Sequence, residues 1–201
     1  MVIMAENEVI VKQGVRILTP YEYKAIRNEL NPKHRLIFDG MLFTAMRTQE
    51  FWRFLKHPEW YKERRKVIDL PKGSLLKEKA KQKERTILLS HLGVRAVEDL
   101  ISNRIKPMTR QSWREILIRA AKKAGLSLEG ICPKMTRKTY ISWLVASYPS
   151  LGILIAISSG HKVETMMQHY LAIGFTKQDL DEIRIYTMGW GENVREQLLS
   201  I

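Results

Sequence analysis

A tyrosine closes the run Gly160-His161-Lys162-Val163-Glu164-Thr165-Met166-Met167-Gln168-His169-Tyr170. Two arginines lie far from it and from each other: Arg47 in Thr44-Ala45-Met46-Arg47-Thr48-Gln49-Glu50, and Arg137 in Pro133-Lys134-Met135-Thr136-Arg137-Lys138-Thr139. A phenol held beside fixed cations has the parts needed to attack a phosphodiester. The cations neutralise a group that repels nucleophiles, and they stabilise the charge that grows on it. Taken singly, each residue has an ordinary reading. Arg47, at a helix junction, caps carbonyls or pairs with Glu50. His161, after the turn Ser158-Ser159-Gly160, is a structural hydrogen bonder. Tyr170, beside Met166, Met167 and Leu171, is a core aromatic. Arg137 and Lys134 open a helix, where exposed amide N–H groups favour an anion and cations oppose the dipole by a few tenths of a kcal/mol. That opposition favours a functional reason for them.

The charge balance points the same way. The 201 residues carry a net charge of +13, and the excess is concentrated. Lys62 to Arg85 holds ten Lys/Arg against four acids, and Arg104 to Lys123 holds seven against one. Clustered cations of this kind are the footprint of a nucleic-acid surface, because neutralising phosphates releases counterions; the alternative is a solvated lysine-rich face. The single cysteine, Cys132, excludes an internal disulfide and a cysteine-based zinc site. No apolar run approaches the length of a membrane span, and no signal peptide is visible. The expectation is an intracellular, cytoplasmic protein acting on DNA, with no membrane partner.

These side chains need a mostly helical frame. Thr19-Pro20-Tyr21-Glu22 is a capping box with proline at the first helical position, which predicts a helix over 20–31. Apolar spacing predicts helices over 34–46, 92–103, 110–124, 135–147 and 151–157, with shorter ones over 48–55, 163–171 and 177–187. Val9-Ile10-Val11 is weakly extended. The β-prone runs 66–70 and 85–89 flank a polar, lysine-rich stretch and predict a hairpin with a long mobile tip. Gly189-Trp190-Gly191 is expected to break the chain before an amphipathic tail over 194–199. The fold class is therefore mainly α with a small antiparallel sheet (α+β), without a linker that would split the chain into independent domains.

Read in order, the motifs resemble the tyrosine recombinase (phage integrase) family from about Thr19 to Tyr170. Met46-Arg47-Thr48-Gln49-Glu50-Phe51 is similar to the family's first box, and Lys134-Met135-Thr136-Arg137 to its second, His-or-Lys-x-x-Arg. Gly160-His161, with Tyr170 nine residues on, is similar to its closing pair. The resemblance implies the family's catalytic-domain fold over 1–188 and a tail helix over 189–201 that docks on its own domain or on a neighbouring protomer. It implies Arg47, Lys134, Arg137 and His161 around a phosphate, with Tyr170 as nucleophile. The hairpin lysine, Lys81 or Lys79, would protonate the leaving 5′ oxygen. Lys83, Arg85 and Lys138 are expected to contact DNA. Lysine in place of the commoner histidine at 134, and alanine in place of glycine at 45, look like archaeal and archaeal-virus integrases. So does Phe51 followed by His57-Pro58-Glu59-Trp60.

The implied activity is site-specific recombination: cleavage and rejoining of a double-stranded DNA attachment site through a 3′-phosphotyrosine, without cofactor, metal or ATP, by a dimer or tetramer on DNA. A type IB topoisomerase would use similar chemistry without strand exchange, and a DNA-binding regulator would keep the fold alone. The first box begins after about 40 residues, so the family's N-terminal clamping domain has no room. A catalytic-domain fragment or a naturally truncated protein is expected.

Overall fold

The computed structural model describes residues 9–72, 84–170 and 173–199. The chain opens in a tight hairpin, β1 (Val11–Lys12) against β2 (Val15–Arg16). Gln13 and Gly14 both take positive φ (51° and 67°), the backbone that two-residue hairpins require. Helix α1 (Pro20–Asn28) starts where its capping box demands: Thr19 Oγ1 accepts from the Glu22 amide, and Glu22 Oε2 accepts from the Thr19 amide. Helix α2 (Pro32–Phe43) ends three residues before the 34–46 expectation, because Ala45 turns left-handed at φ 47°. Helix α3 (Thr48–Phe54) follows directly.

The sheet has three antiparallel strands rather than two. β3 (Tyr61–Lys62) pairs with β4 (Val67–Leu70), and β4 with β5 (Arg85–Leu88), in register Ile68 to Ile87 and Leu70 to Arg85. A two-residue strand such as β3 is held by its pairing partner and leaves no period-2 pattern to read. The tip of the expected β4–β5 hairpin, with Lys79, Lys81 and Lys83, lies outside the described residues.

Helices α4 (His91–Ser102), α5 (Arg110–Lys123) and α6 (Met135–Ser147) follow, then α7 (Gly152–Ser159), α8 (Val163–Tyr170), α9 (Lys177–Thr187) and α10 (Trp190–Leu199). α6 is the central rod, buried from Met135 to Val145. Its Trp143 donates to the Leu18 carbonyl, and Thr139 Oγ1 accepts from the Leu18 amide, so the N-terminal segment is fastened across it. α2 and α4 cross closely at Gly40, where a Cβ would lie 2.3 Å from Leu100 Cδ1. Only a residue without a side chain permits that approach.

The break expected at 189–191 is shorter than that. Met188 and Gly189 carry the turn, Gly189 at φ 86°, and α10 starts at Trp190. The first turns of α10 dock on the chain's own sheet. Trp190 is buried and donates to the Leu88 carbonyl, Asn193 donates to the carbonyls of Lys66 and Leu89, and Val194 is buried beside them. No single helix among the described residues is long and apolar enough to cross a membrane.

Candidate active site

Arg47 stands at the N-terminus of α3, just after the left-handed turn at Ala45. Its Nη1 donates to Glu50 Oε1 at 2.7 Å, its backbone amide to Glu50 Oε2 at 2.8 Å, and its Nη2 to the Gly160 carbonyl at 3.2 Å. The Arg47 side chain keeps 37% of its surface exposed, whereas that of Glu50 has none. The Arg47–Glu50 pairing expected from the i, i+3 spacing is therefore present, and it aims Arg47 at the turn before His161.

Arg137 lies in the first turn of α6, buried. Its Nη1 donates to the Ala45 carbonyl at 2.5 Å, and its Nη2 to the Ser159 carbonyl at 2.5 Å. The same Nη2 lies 3.2 Å from His161 Nε2. An arginine can only donate, so Nε2 accepts and carries no proton. The His161 proton then sits on Nδ1, 3.1 Å from Ser159 Oγ, which in turn donates to the Ala156 carbonyl. Arg137 thus sets the tautomer of His161, and Ser159 Oγ is placed to accept from its Nδ1–H. The His161 amide donates to Ala156 at 2.9 Å, and Gly160 makes the turn left-handed at φ 68°.

Tyr170, buried at the end of α8, packs its ring against His161 with centroids 5.6 Å apart. Burial raises its phenol pKa, while the charges of Arg137 and Arg47 pull it down; the first effect wins and the phenol is neutral at rest. Burial also depresses Arg137, with Arg47 and Arg85 adding to the effect and Glu50 and Tyr170 opposing it; at about 9 it stays charged at neutral pH. For Glu50, burial alone would raise the carboxyl. The hydrogen-bonded Arg85, then Arg47 and Arg137, overrule that and hold it at about 2. Four side chains spread over more than a hundred residues of sequence, Arg47, Arg137, His161 and Tyr170, are thereby gathered in one place.

Three expected site residues stand elsewhere. Arg85, expected to contact DNA, is not a surface side chain: it is 5% exposed and grips Glu50 through Nη1–Oε1 at 3.0 Å and Nη2–Oε2 at 2.6 Å. Lys138 is also buried, donating to the Lys12 carbonyl at 2.6 Å. Burial, then Lys12 and Lys134, lower its pKa. Both positions look like free cations in sequence because their partners, Glu50 and the β1 backbone, are remote in the chain. Lys134 precedes the first residue of α6 with its side chain exposed, and no hydrogen bond joins it to the cluster. Lys79, Lys81 and Lys83 lie outside the described residues. Sequence reasoning missed Ser159 and the carbonyls of Ala45, Ser159 and Gly160; main-chain acceptors leave no signal in a sequence.

The two basic stretches are largely at the surface. Lys62, Arg64, Arg65 and Lys66 are exposed, as are Arg104, Lys106, Arg110, Arg114, Arg119, Lys122 and Lys123. In the second set, Arg110, Arg114, Arg119, Lys122 and Lys123 follow the outer face of α5, whose opposite face buries Trp113, Leu117, Ala120 and Ala121.

Protein-family models and curated protein sequences give no match to the chain. Solved structures do. The XerA recombinase aligns with a TM-score of 0.59 at 17% identity, over 84% of this chain and 64% of that one. The Tn1549 transposon integrase in complex with transposon right end DNA aligns at 0.62 and 16%, over 87% and 66%. The XerH site-specific recombinase bound to palindromic difH substrate aligns at 0.55 and 18%, over 85% and 52%. This chain therefore spans about two thirds or less of the length of these proteins. The fold is the tyrosine recombinase catalytic-domain fold, mainly α with small antiparallel sheets.

Proposed function

We propose that this chain is the catalytic part of a site-specific DNA recombinase that cuts and rejoins duplex DNA through Tyr170. One observation carries the reading: Arg137 is held by the Ala45 and Ser159 carbonyls beside His161 and the Tyr170 ring, with Arg47 tied to the same turn. Of the five N–H groups of Arg137, three are taken by these partners; Nε–H is left for a phosphate, and an Nη2–H joins it once the phosphate displaces His161. Arg47 contributes a second, more exposed fork. Guanidinium suits the task because its planar donors match two phosphate oxygens, and its charge persists when buried.

The chemistry runs as follows. The Tyr170 oxygen attacks the phosphorus, the bond to the 5′ oxygen breaks, and the phenol proton leaves to a base. The unprotonated Nε2 of His161, against the Tyr170 ring, is a suitable acceptor once a phosphate replaces it on Arg137. The departing 5′ oxygen takes a proton from a hairpin lysine, Lys79 or Lys81. Lys134 adds a cation at the helix start. The phosphotyrosine conserves the ester, so rejoining needs no energy source. Duplex DNA carrying an attachment site is the substrate, bound across the exposed cations of α5 and of residues 62–66, by two or four copies of the chain. Residues 1–188 form the catalytic unit and residues 189–201 the tail, whose first turns are seated on that unit. Lys134 and Ala45 favour the archaeal or archaeal-virus branch.

The test is a suicide duplex in which the 5′ fragment diffuses away after cleavage. The wild-type chain yields an SDS-resistant protein–DNA adduct whose peptide contains Tyr170, and Tyr170→Phe yields none. Adduct formation that persists in Tyr170→Phe refutes the assignment. Supercoil relaxation without strand exchange replaces recombination with a topoisomerase activity.

A further inference from the structure

We propose that Arg85 is a positioning residue that locks the hairpin strand β5 to both halves of the active site, the Arg47 turn and the Gly160–His161 turn. The inference rests on the function proposed above and goes further by assigning a role to a cation that touches no substrate.

Three contacts converge on this side chain. Its two Nη atoms hold both Glu50 oxygens, and the remaining freedom of that carboxylate is taken by Arg47 Nη1 and the Arg47 amide. Its Nε donates to the Ser158 carbonyl at 3.2 Å, in the last turn of α7. Its aliphatic end and Nε lie 3.1 Å from where a Cβ on Gly160 would be, so the left-handed turn before His161 is packed directly onto it. The strand is further fastened by the Leu88 amide, which donates to Ser158 Oγ at 3.1 Å. Pulling Arg85 away would therefore loosen two things together. Arg47 would lose the partner that fixes Glu50, and the turn presenting His161 and the Ser159 carbonyl to Arg137 would lose its floor. A planar fork is required, since one ammonium cannot meet both carboxylate oxygens and the Ser158 carbonyl in these directions. Glu50 is faced by Arg47 from its own helix, Arg85 from β5 and Arg137 from α6.

The experiment compares wild type, Arg85→Lys, Arg85→Met and the double variant Arg85→Met/Glu50→Gln, the last leaving no unpaired buried carboxylate. Two readouts are taken. Amide exchange in the absence of DNA is expected to quicken about tenfold or more at His161 in Arg85→Met, with α6 core amides unchanged. Single-turnover adduct formation at saturating duplex is expected to fall about 100-fold, the effect of misplacing a reacting group by about 1 Å. Duplex affinity and its salt dependence are expected to hold within about threefold. Arg85→Lys should remain closer to Arg85→Met than to wild type. Unchanged exchange at His161, or a wild-type rate at saturating DNA, overturns the proposal. So does a lower affinity with a shallower salt slope, which would make Arg85 a DNA contact after all. Should wild type form no adduct, the recombinase reading fails by itself, and the exchange data still decide whether Arg85 organises the turn.

Discussion

Replacing Glu50 by Gln tests the electrostatics of the site most directly. The carboxyl is fully buried, contacts Arg47 and Arg85, and titrates at about 2 against an ordinary 4.5. Its folded pKa lies below the unfolded one, so the charged form stabilises the fold above pH 4.5, and that contribution fades as pH falls towards 2. At roughly 1.4 kcal/mol per tenfold change in proton affinity, the charge contributes about 3 kcal/mol at pH 7 and about half of that at pH 3. Glutamine keeps the shape and one acceptor oxygen, but its amide N–H groups would confront the guanidinium donors. That mismatch costs about 1–3 kcal/mol more and does not depend on pH. Urea unfolding followed by circular dichroism at pH 7, 5 and 3 gives the difference between wild type and Glu50→Gln directly. A gap that narrows below pH 4.5 is the expected result. The same gap at all three values would mean that Glu50 is not held ionised by its arginines, and the account of how Arg47 is aimed would fall with it.

Other substitutions examine the frame. Ala45→Gly removes a Cβ from a left-handed turn at φ 47°; calorimetry should show a gain of about 0.5 kcal/mol, since the relieved strain slightly exceeds the added backbone entropy. A loss above about 1 kcal/mol would contradict this. Trp190→Ala empties a fully buried site and deletes the bond to Leu88, so it should cost about 3–5 kcal/mol at any protein concentration. A cost that disappears on dilution would place the whole tail on a neighbouring copy. Tyr140 is buried with its hydroxyl on Ser90, and burial raises its pKa. Its folded value lies above the unfolded 10, so stability is full below pH 10 and lost as pH rises further. Tyr140→Phe should flatten that alkaline decline in thermal melts, and an unchanged slope would refute the assignment.

Elements fixed by local chemistry were legible from the residues alone. The Thr19 capping box, the helices over 110–123, 135–147 and 177–187, and the two principal strands appear where periodicity and caps placed them. Short pieces held by tertiary pairing were not legible, as β3 and the β1–β2 turn show. Nor was the start of α10, where Trp190 finds its place against Leu88 rather than through helix propensity. In the site, the side chains with distinctive chemistry were legible as an ordered set, and the geometry gathers Arg47, Arg137, His161 and Tyr170. What failed was sorting cations by task. Arg85 and Lys138 differ from surface arginines and lysines only through what meets them in space, a carboxylate thirty-five residues upstream in one case and a β1 carbonyl in the other.

That sorting matters for the chemistry, because the site is built with its charges unbalanced. Three guanidinium groups, Arg47, Arg85 and Arg137, surround one carboxylate, Glu50, and Arg137 is depressed partly by the other two arginines. Arg85 and Glu50 cancel as a closed pair. Arg47 shares only one of its Nη atoms with that carboxylate, and Arg137 is held by uncharged carbonyls. Two positive charges are therefore left facing Tyr170. In the reaction proposed for the site, a phosphodiester supplies one negative charge, and a second develops as the phenol oxygen bonds to phosphorus. In the proposed reaction the balance is reached in the transition state rather than with substrate merely bound, which is the condition for lowering a barrier instead of only tightening a complex. Carbonyl partners suit Arg137 for the same reason: they orient the guanidinium without neutralising it, whereas a second carboxylate there would cancel its charge before any phosphate bound.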